Sequence, residues 1–284
     1  MLNPVMKLSQ TPQDRYIQVG GINTRYWMLG DGETTVLLLH GLGSCVETWK
    51  YTISALAPYH RVYAVDLVGS GRSDKPAATY TLAYQAQFLK AFMDTLGIDR
   101  TSLIGNSMGG GVALQFALLF PAQVEKLVLA NTLGLGKEIA LTLRLASLPF
   151  PSLLLRPSRP STAIALKQCV YDSSVITDDW VEFFYQIAML PGIQEALHMQ
   201  IQANINFWGV CPEVYGSIVA QLATINAPTL IVWGQQDHVL PVAHAQVAAE
   251  RMPNTKLEIF NSCGHWPQVE RAEEFNTLTR EFLI

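Results

Sequence analysis

The stretch GNSMG, Gly105 to Gly109, places one hydroxyl, that of Ser107, between two glycines. An apolar run, Leu103–Ile104, precedes it, and an apolar pattern of helical spacing follows. This arrangement suits a serine nucleophile on a sharp strand-to-helix turn. Such a turn strains the serine backbone, and bulky side chains two residues to either side would collide, so glycine is needed at both places. The helix beyond it aims its first amides at any negative charge that forms near the hydroxyl. The plainer alternative is a serine that only caps the helix.

A serine hydroxyl is a weak nucleophile at neutral pH and needs a base, usually a histidine oriented by a carboxylate. The chain has six histidines. His265, in NSCGHWPQVE, follows the last expected strand. The strands of a parallel sheet end on one edge, which is also the edge of Ser107. Asp237, in WGQQDHVLP, follows the strand that ends near Trp233 and reaches the same edge. A loop aspartate before a proline is often only a turn former; its position here makes it the orienting acid. Glu270 and Asp179 are less well placed. Two backbone N–H groups should hold the oxyanion: that of Met108, after the nucleophile, and that of Leu42 in HGLGSC, with Gly43 as its alternative.

These side chains need elements to carry them. Tyr16 to Leu29 alternates around Gly20–Gly21 and reads as a hairpin. Strands are expected over Thr34 to Gly41, Arg61 to Gly69, Thr101 to Gly105 and Val124 to Ala130. Helices are expected over Thr48 to Leu56, Tyr80 to Leu96 and Met108 to Phe120. The rhythm resumes with strands Ala227 to Gly234 and Thr255 to Phe260, and helices Val242 to Arg251 and Arg271 to Leu283. This is the pattern of an α/β fold with a mostly parallel, doubly wound sheet. From 133 to 222 the rhythm breaks. Helical patches such as Asp178 to Leu190 and Pro191 to Ile205 occur there with no strand between them. The expected organisation is a core of residues 1–132 and 223–284 with a helical cap, 133–222, over the sheet edge.

The bulk properties remove other classes. A net charge of −4 without a basic stripe argues against nucleic acid as a partner. The N-terminus lacks the basic start and apolar core of a signal peptide. No uncharged apolar run reaches a membrane span. The cytoplasm is therefore the expected location. The four cysteines form no CxxC pair and the histidines no metal spacing, so reduced thiols, no metal and no cofactor are expected. Oligomeric state is left open.

The motifs HGLG, DLVGSGRSDKP, GNSMGG, WGQQDHVLP and CGHWPQVE together resemble the α/β-hydrolase superfamily along nearly the whole chain. The order Ser, Asp, His is the order of that superfamily. Ser107 distinguishes the chain from relatives with an aspartate at the turn. GNSMGG and CGHWPQVERAEEFN look most like the meta-cleavage-product hydrolases, which cleave a C–C bond in vinylogous 1,5-diketones. CVYDSSVITDDWVEFF is similar to the first cap helices of that group. The resemblance implies that Asn106 and Trp266 flank the substrate, beside Gly41 and Gly43 of the oxyanion loop. Two departures stand out. The loop reads HGLGSC where the group has HGxGPG, and the stretch Trp180 to Tyr185 lacks the cap arginine that binds the substrate carboxylate there. An apolar cap without that cation poorly compensates a buried carboxylate.

The leading expectation is therefore a cofactor-free serine hydrolase that cleaves carboxylic esters of apolar acids or alcohols. C–C bond cleavage is the alternative, and a ligand-binding receptor on the same scaffold is a third. Met189, Leu190, Phe207, Trp208, Leu133 and Leu135 are expected to line an apolar cavity. LPFPSLLL is a candidate for peripheral membrane contact, although it lacks a basic face.

Overall fold

The computed structural model describes residues 12–149 and 157–284. The core is one eight-stranded sheet in the order β1-β2-β4-β3-β5-β6-β9-β10. Its strands are β1 (Arg15–Val19), β2 (Ile22–Leu29), β3 (Thr35–Leu39), β4 (Arg61–Val65), β5 (Thr101–Asn106), β6 (Val124–Ala130), β9 (Thr229–Gly234) and β10 (Thr255–Phe260). β2 runs antiparallel to both neighbours, and the other pairings are parallel. The central strands TVLLL, TSLIGN and TLIVWG are buried along nearly their whole length because helices cover both faces. Leu37, Leu39, Leu103, Leu129 and Trp233 pack on one face. Val36, Leu38, Ile104, Val128 and Val232 pack on the other.

The core helices are α1 (Lys50–Leu56), α2 (Leu82–Leu96), α3 (Met108–Leu119), α9 (Ala243–Arg251), α10 (Pro267–Glu270) and α11 (Ala272–Leu283). α2 begins where the Thr81 side chain accepts from the Tyr84 N–H, and it ends at Gly97 with φ 68°. Between β6 and β9 come α4 (Leu141–Ala146), α5 (Arg159–Gln168), α6 (Asp178–Ala188), α7 (Ile193–Asn204) and α8 (Pro212–Val219).

Two local expectations need correction. The strand expected over Arg61 to Gly69 stops at Val65. Asp66 ends it: its carboxylate accepts from the Val46 and Arg72 N–H groups and pairs with Arg25, which turns the chain away from the ladder. The helical segment also contains a two-residue antiparallel pair, β7 (Ile205–Asn206) with β8 (Gly209–Val210), too short for a periodic signal. Of LPFPSLLL, the candidate for membrane contact, residues 150–155 lie outside the described residues. Among the described residues no helix is long and apolar enough to cross a membrane.

Candidate active site

Ser107 sits between β5 and α3 with φ 56° and ψ −120°. A non-glycine residue at such angles costs about 1–3 kcal/mol and persists only when its surroundings enforce it. Here the Ser107 N–H donates to the Ala130 carbonyl at 3.0 Å, and the Ser107 carbonyl accepts from Leu133 and Gly111. Each flanking glycine lies against backbone. A Cβ on Gly105 would lie 2.3 Å from the Gly109 carbonyl oxygen, and one on Gly109 would lie 2.1 Å from that of Leu39. The turn can therefore close only with glycine at both positions. Gly41 belongs to the same packing, since its Cβ would stand 3.0 Å from that of Ser107.

Asp237 and His265 come together at the same sheet edge. His265 Nδ1 lies 2.8 Å from Asp237 Oδ2, and both side chains are almost wholly buried. With a carboxylate as partner, the neutral ring carries its proton on Nδ1 and leaves Nε2 as an acceptor. The other carboxylate oxygen, Oδ1, accepts from the N–H groups of Val239 and Leu240 at 2.7 and 3.0 Å. Burial pushes the Asp237 carboxyl up; the electrostatic interaction with His265 and hydrogen bonds from His265, Asn131 and Leu240 outweigh it and hold the group below the usual carboxylate range.

Asn131, which sequence reasoning missed, completes this arrangement. It follows β6 with φ 46° and is fully buried. Its Nδ2 donates to Asp237 Oδ2 at 2.6 Å and to the Gly264 carbonyl at 3.3 Å. Asn106 does similar work one strand away, donating to the carbonyls of Ala130 and His265 at 3.2 and 3.0 Å. Two asparagines on neighbouring strand ends thus hold consecutive carbonyls of the His265 loop. Asn106, expected beside the substrate, thus has its Nδ2 committed to backbone, and it is not among the residues that line the pocket at Ser107.

The segment between β6 and β9 grips this loop from outside. The Cys169 carbonyl accepts from the N–H groups of both His265 and Trp266, at 2.8 and 3.0 Å. Glu270 accepts from the Asp172 N–H through one oxygen and from the Gly264 N–H through the other, at 2.6 and 2.7 Å. Trp266 packs with Trp180 and Phe184 of α6 at centroid distances of 6.3 and 5.9 Å. It therefore anchors helices and does not line the pocket at Ser107.

That pocket is closed down to about 20 Å³. Leu42, Met108, Leu133, Ile139, Leu143 and Ile205 line it with Ser107, Gln200 and Asn204. The N–H groups of Leu42 and Met108 meet no acceptor among the described residues, which suits donors awaiting an oxyanion. Ser107 Oγ likewise has no hydrogen-bond partner there; contacts of this kind are often loose before substrate binds. Gly43 opens on a second cavity of about 40 Å³ against Leu197 and Gln200. Of the residues expected to line an apolar cavity, only Leu133 faces Ser107. Met189, Phe207 and Trp208 are exposed, Trp208 at 70%; Leu135 is in the core, and Leu190 packs among the α6 aromatics. A larger groove of about 550 Å³ along α11 includes none of Ser107, Asp237 and His265.

The other histidines have structural partners or lie outside the site. Buried His40 accepts the Leu67 N–H at Nε2, His60 contacts Thr34, and His244 contacts Glu138. Cys45, Glu47 and Asp66 lie close enough for a metal. Arg25 already occupies that cluster, with its guanidinium 2.7 Å from Glu47 and 3.1 Å from Asp66.

The chain belongs to the α/β-hydrolase fold family, whose model matches residues 34–272. It is 31% identical over 273 residues to a 2-hydroxy-6-oxo-2,4-heptadienoate hydrolase of Pseudomonas putida, covering 95% of each protein. A meta-cleavage product hydrolase from Pseudomonas fluorescens superposes with a TM-score of 0.81 at 29% identity, over 95% of this chain and 97% of that one. A bacterial membrane phospholipase A does so with a TM-score of 0.79 at 27% identity, over 96% and 86%.

Proposed function

We propose that this protein is a serine hydrolase that cleaves carboxylic esters of apolar acyl or alcohol groups. Ser107 Oγ attacks the ester carbonyl as its proton passes to His265 Nε2. Asp237 keeps Nδ1 protonated and the ring oriented. The N–H groups of Met108 and Leu42 hold the tetrahedral oxyanion. Collapse expels the alcohol, which takes the proton from His265. Water then attacks the acyl-enzyme with His265 again as base, and release of the acid restores Ser107. Residues 133–222 act as a cap whose side chains select the substrate.

One observation carries the ester reading. Apart from Ser107, the polar side chains lining the pocket are the amides Gln200 and Asn204. The adjoining cavity adds Ser44, Ser70 and Gln194, and among the described residues neither is lined by a cation. A dienoate carboxylate buried there would meet no counter-charge among the described residues, an expensive arrangement. C–C hydrolysis remains the second reading because the relatives at 29–31% identity carry that activity in their names.

The test is kcat/KM for p-nitrophenyl hexanoate beside a 2-hydroxy-6-oxo-hexa-2,4-dienoate bearing a phenyl group, with Ser107→Ala as blank for both. We expect the ester to be preferred by at least about tenfold, and Ser107→Ala to lower kcat by about 10⁴ or more. Preference for the dienoate would replace the ester reading with the second one.

A further inference from the structure

Asn204, at the C-terminal end of α7, is 1% exposed and lines the pocket at Ser107. Its Nδ2 donates to the Tyr80 carbonyl at 3.2 Å and to the Gln200 carbonyl at 2.8 Å. Both partners are acceptors, so only the nitrogen can face them and the amide orientation is fixed. Oδ1 is thereby left over, and it is buried with no hydrogen-bond partner. Gln200, the neighbouring amide, differs: its nitrogen reaches the Gly69 carbonyl and Ser70 Oγ, and its oxygen also reaches Ser70 Oγ. Of the two amides that line this pocket with Ser107, Asn204 is thus the one whose buried oxygen has no donor; the other lining residues are leucine, isoleucine and methionine. Burying an acceptor without a donor is costly, and such groups are retained where something supplies the donor.

We propose that Asn204 makes this enzyme selective for esters whose acyl chain carries a hydroxyl group, with Oδ1 accepting the hydroxyl proton. The inference deepens the ester reading and rests on Ser107 as nucleophile. The acyl group stays attached to Ser107 after the alcohol leaves, so the pocket that opens on Ser107 is where its chain resides. There an unsubstituted chain leaves Oδ1 unpaired and a hydroxylated chain satisfies it. A site built to bond a hydroxyl discriminates strongly against the analogue that lacks it.

The experiment has two parts. Methyl hexanoate, methyl 3-hydroxyhexanoate and methyl 6-hydroxyhexanoate are titrated by calorimetry into the Ser107→Ala protein, where no turnover occurs. The same esters are then compared as substrates of the unaltered enzyme. We expect one hydroxyester to bind about tenfold more tightly than the plain ester and to be favoured by a similar factor in kcat/KM. Asn204→Leu in the Ser107→Ala background should reverse the binding preference. Folding of that variant is checked by its thermal transition, because Nδ2 also ties α7 to Tyr80; the preference of the Ser107→Ala protein tests the idea without it. Equal or weaker binding of both hydroxyesters overturns the role of Asn204. A binding preference without any ester turnover upholds the pocket's selectivity and overturns the ester reading instead.

Discussion

The two sides of the site are held very differently. On the His265 side, Asp237 accepts four hydrogen bonds, from His265, Asn131, Val239 and Leu240. The Cys169 carbonyl takes the N–H groups of His265 and Trp266, and a buried aromatic cluster backs them. On the other side, Ile139 and Leu143 cover Ser107, and Leu143 belongs to a six-residue helix, α4, that also exposes Leu141 and Leu145 at 58% and 48%. Few buried contacts and a short helix mark the part of a fold that opens most readily. On the mechanism proposed above, the base and its acid are thus held by many hydrogen bonds, while the helix beside Ser107 has few anchors.

The comparison can be broken first at its rigid side. Asp237→Asn keeps the shape of the carboxylate but lets the histidine tautomer reverse, so kcat should fall about 10⁴-fold with little change in KM. The same variant tests the electrostatics. Because the folded-state carboxyl of Asp237 lies below its ordinary value, its ionised form stabilises the fold above an unfolded pKa of about 3.9, and that contribution is lost as pH falls through the lower folded value. The stability gap between the unaltered protein and Asp237→Asn, measured by urea titration, should therefore narrow as pH is lowered from 6 towards about 3. A gap that widened instead would contradict the sign.

A smaller loss is expected at Asn131. Replacement by glycine relieves the positive φ and removes the amide, leaving Asp237 with one donor fewer. We expect kcat to drop roughly 10–100-fold while the thermal transition moves little, a split that a purely architectural asparagine would not give. The smallest effect belongs to the loose side. Leu143→Ala should raise kcat/KM for branched or aromatic acyl esters over p-nitrophenyl acetate by roughly three- to tenfold. An unchanged ratio would mean that α4 does not cover the acyl site.

What the sequence disclosed follows the same division. The turn at Ser107 was legible because only glycine satisfies the approaches of Gly105 and Gly109, a local demand written in five residues. Asp237 and His265 were legible because strand ends converge on one edge. Asn131 was not: its partner Asp237 lies 106 residues away, and an asparagine after a strand ordinarily reads as a turn former. Glu270 was set aside as a poor triad acid, and its task of bracing Gly264 and Asp172 depends on a segment 98 residues distant. Among the inserted helices, an apolar residue does not reveal which body it faces. Trp208 and Met189 therefore read as lining but are exposed, whereas Ile139 and Leu143, at the roof, went unnoticed.

The central claim is that Ser107 is the nucleophile, and covalent capture tests it most directly. The protein is treated with a p-nitrophenyl alkylphosphonate, and the modified residue is located by peptide mass spectrometry. The account predicts one adduct per chain, on Ser107, with p-nitrophenol released in equal amount and no labelling of the Ser107→Ala or His265→Ala protein on the same timescale. An adduct on any other residue, or undiminished ester turnover by the Ser107→Ala protein, would contradict it.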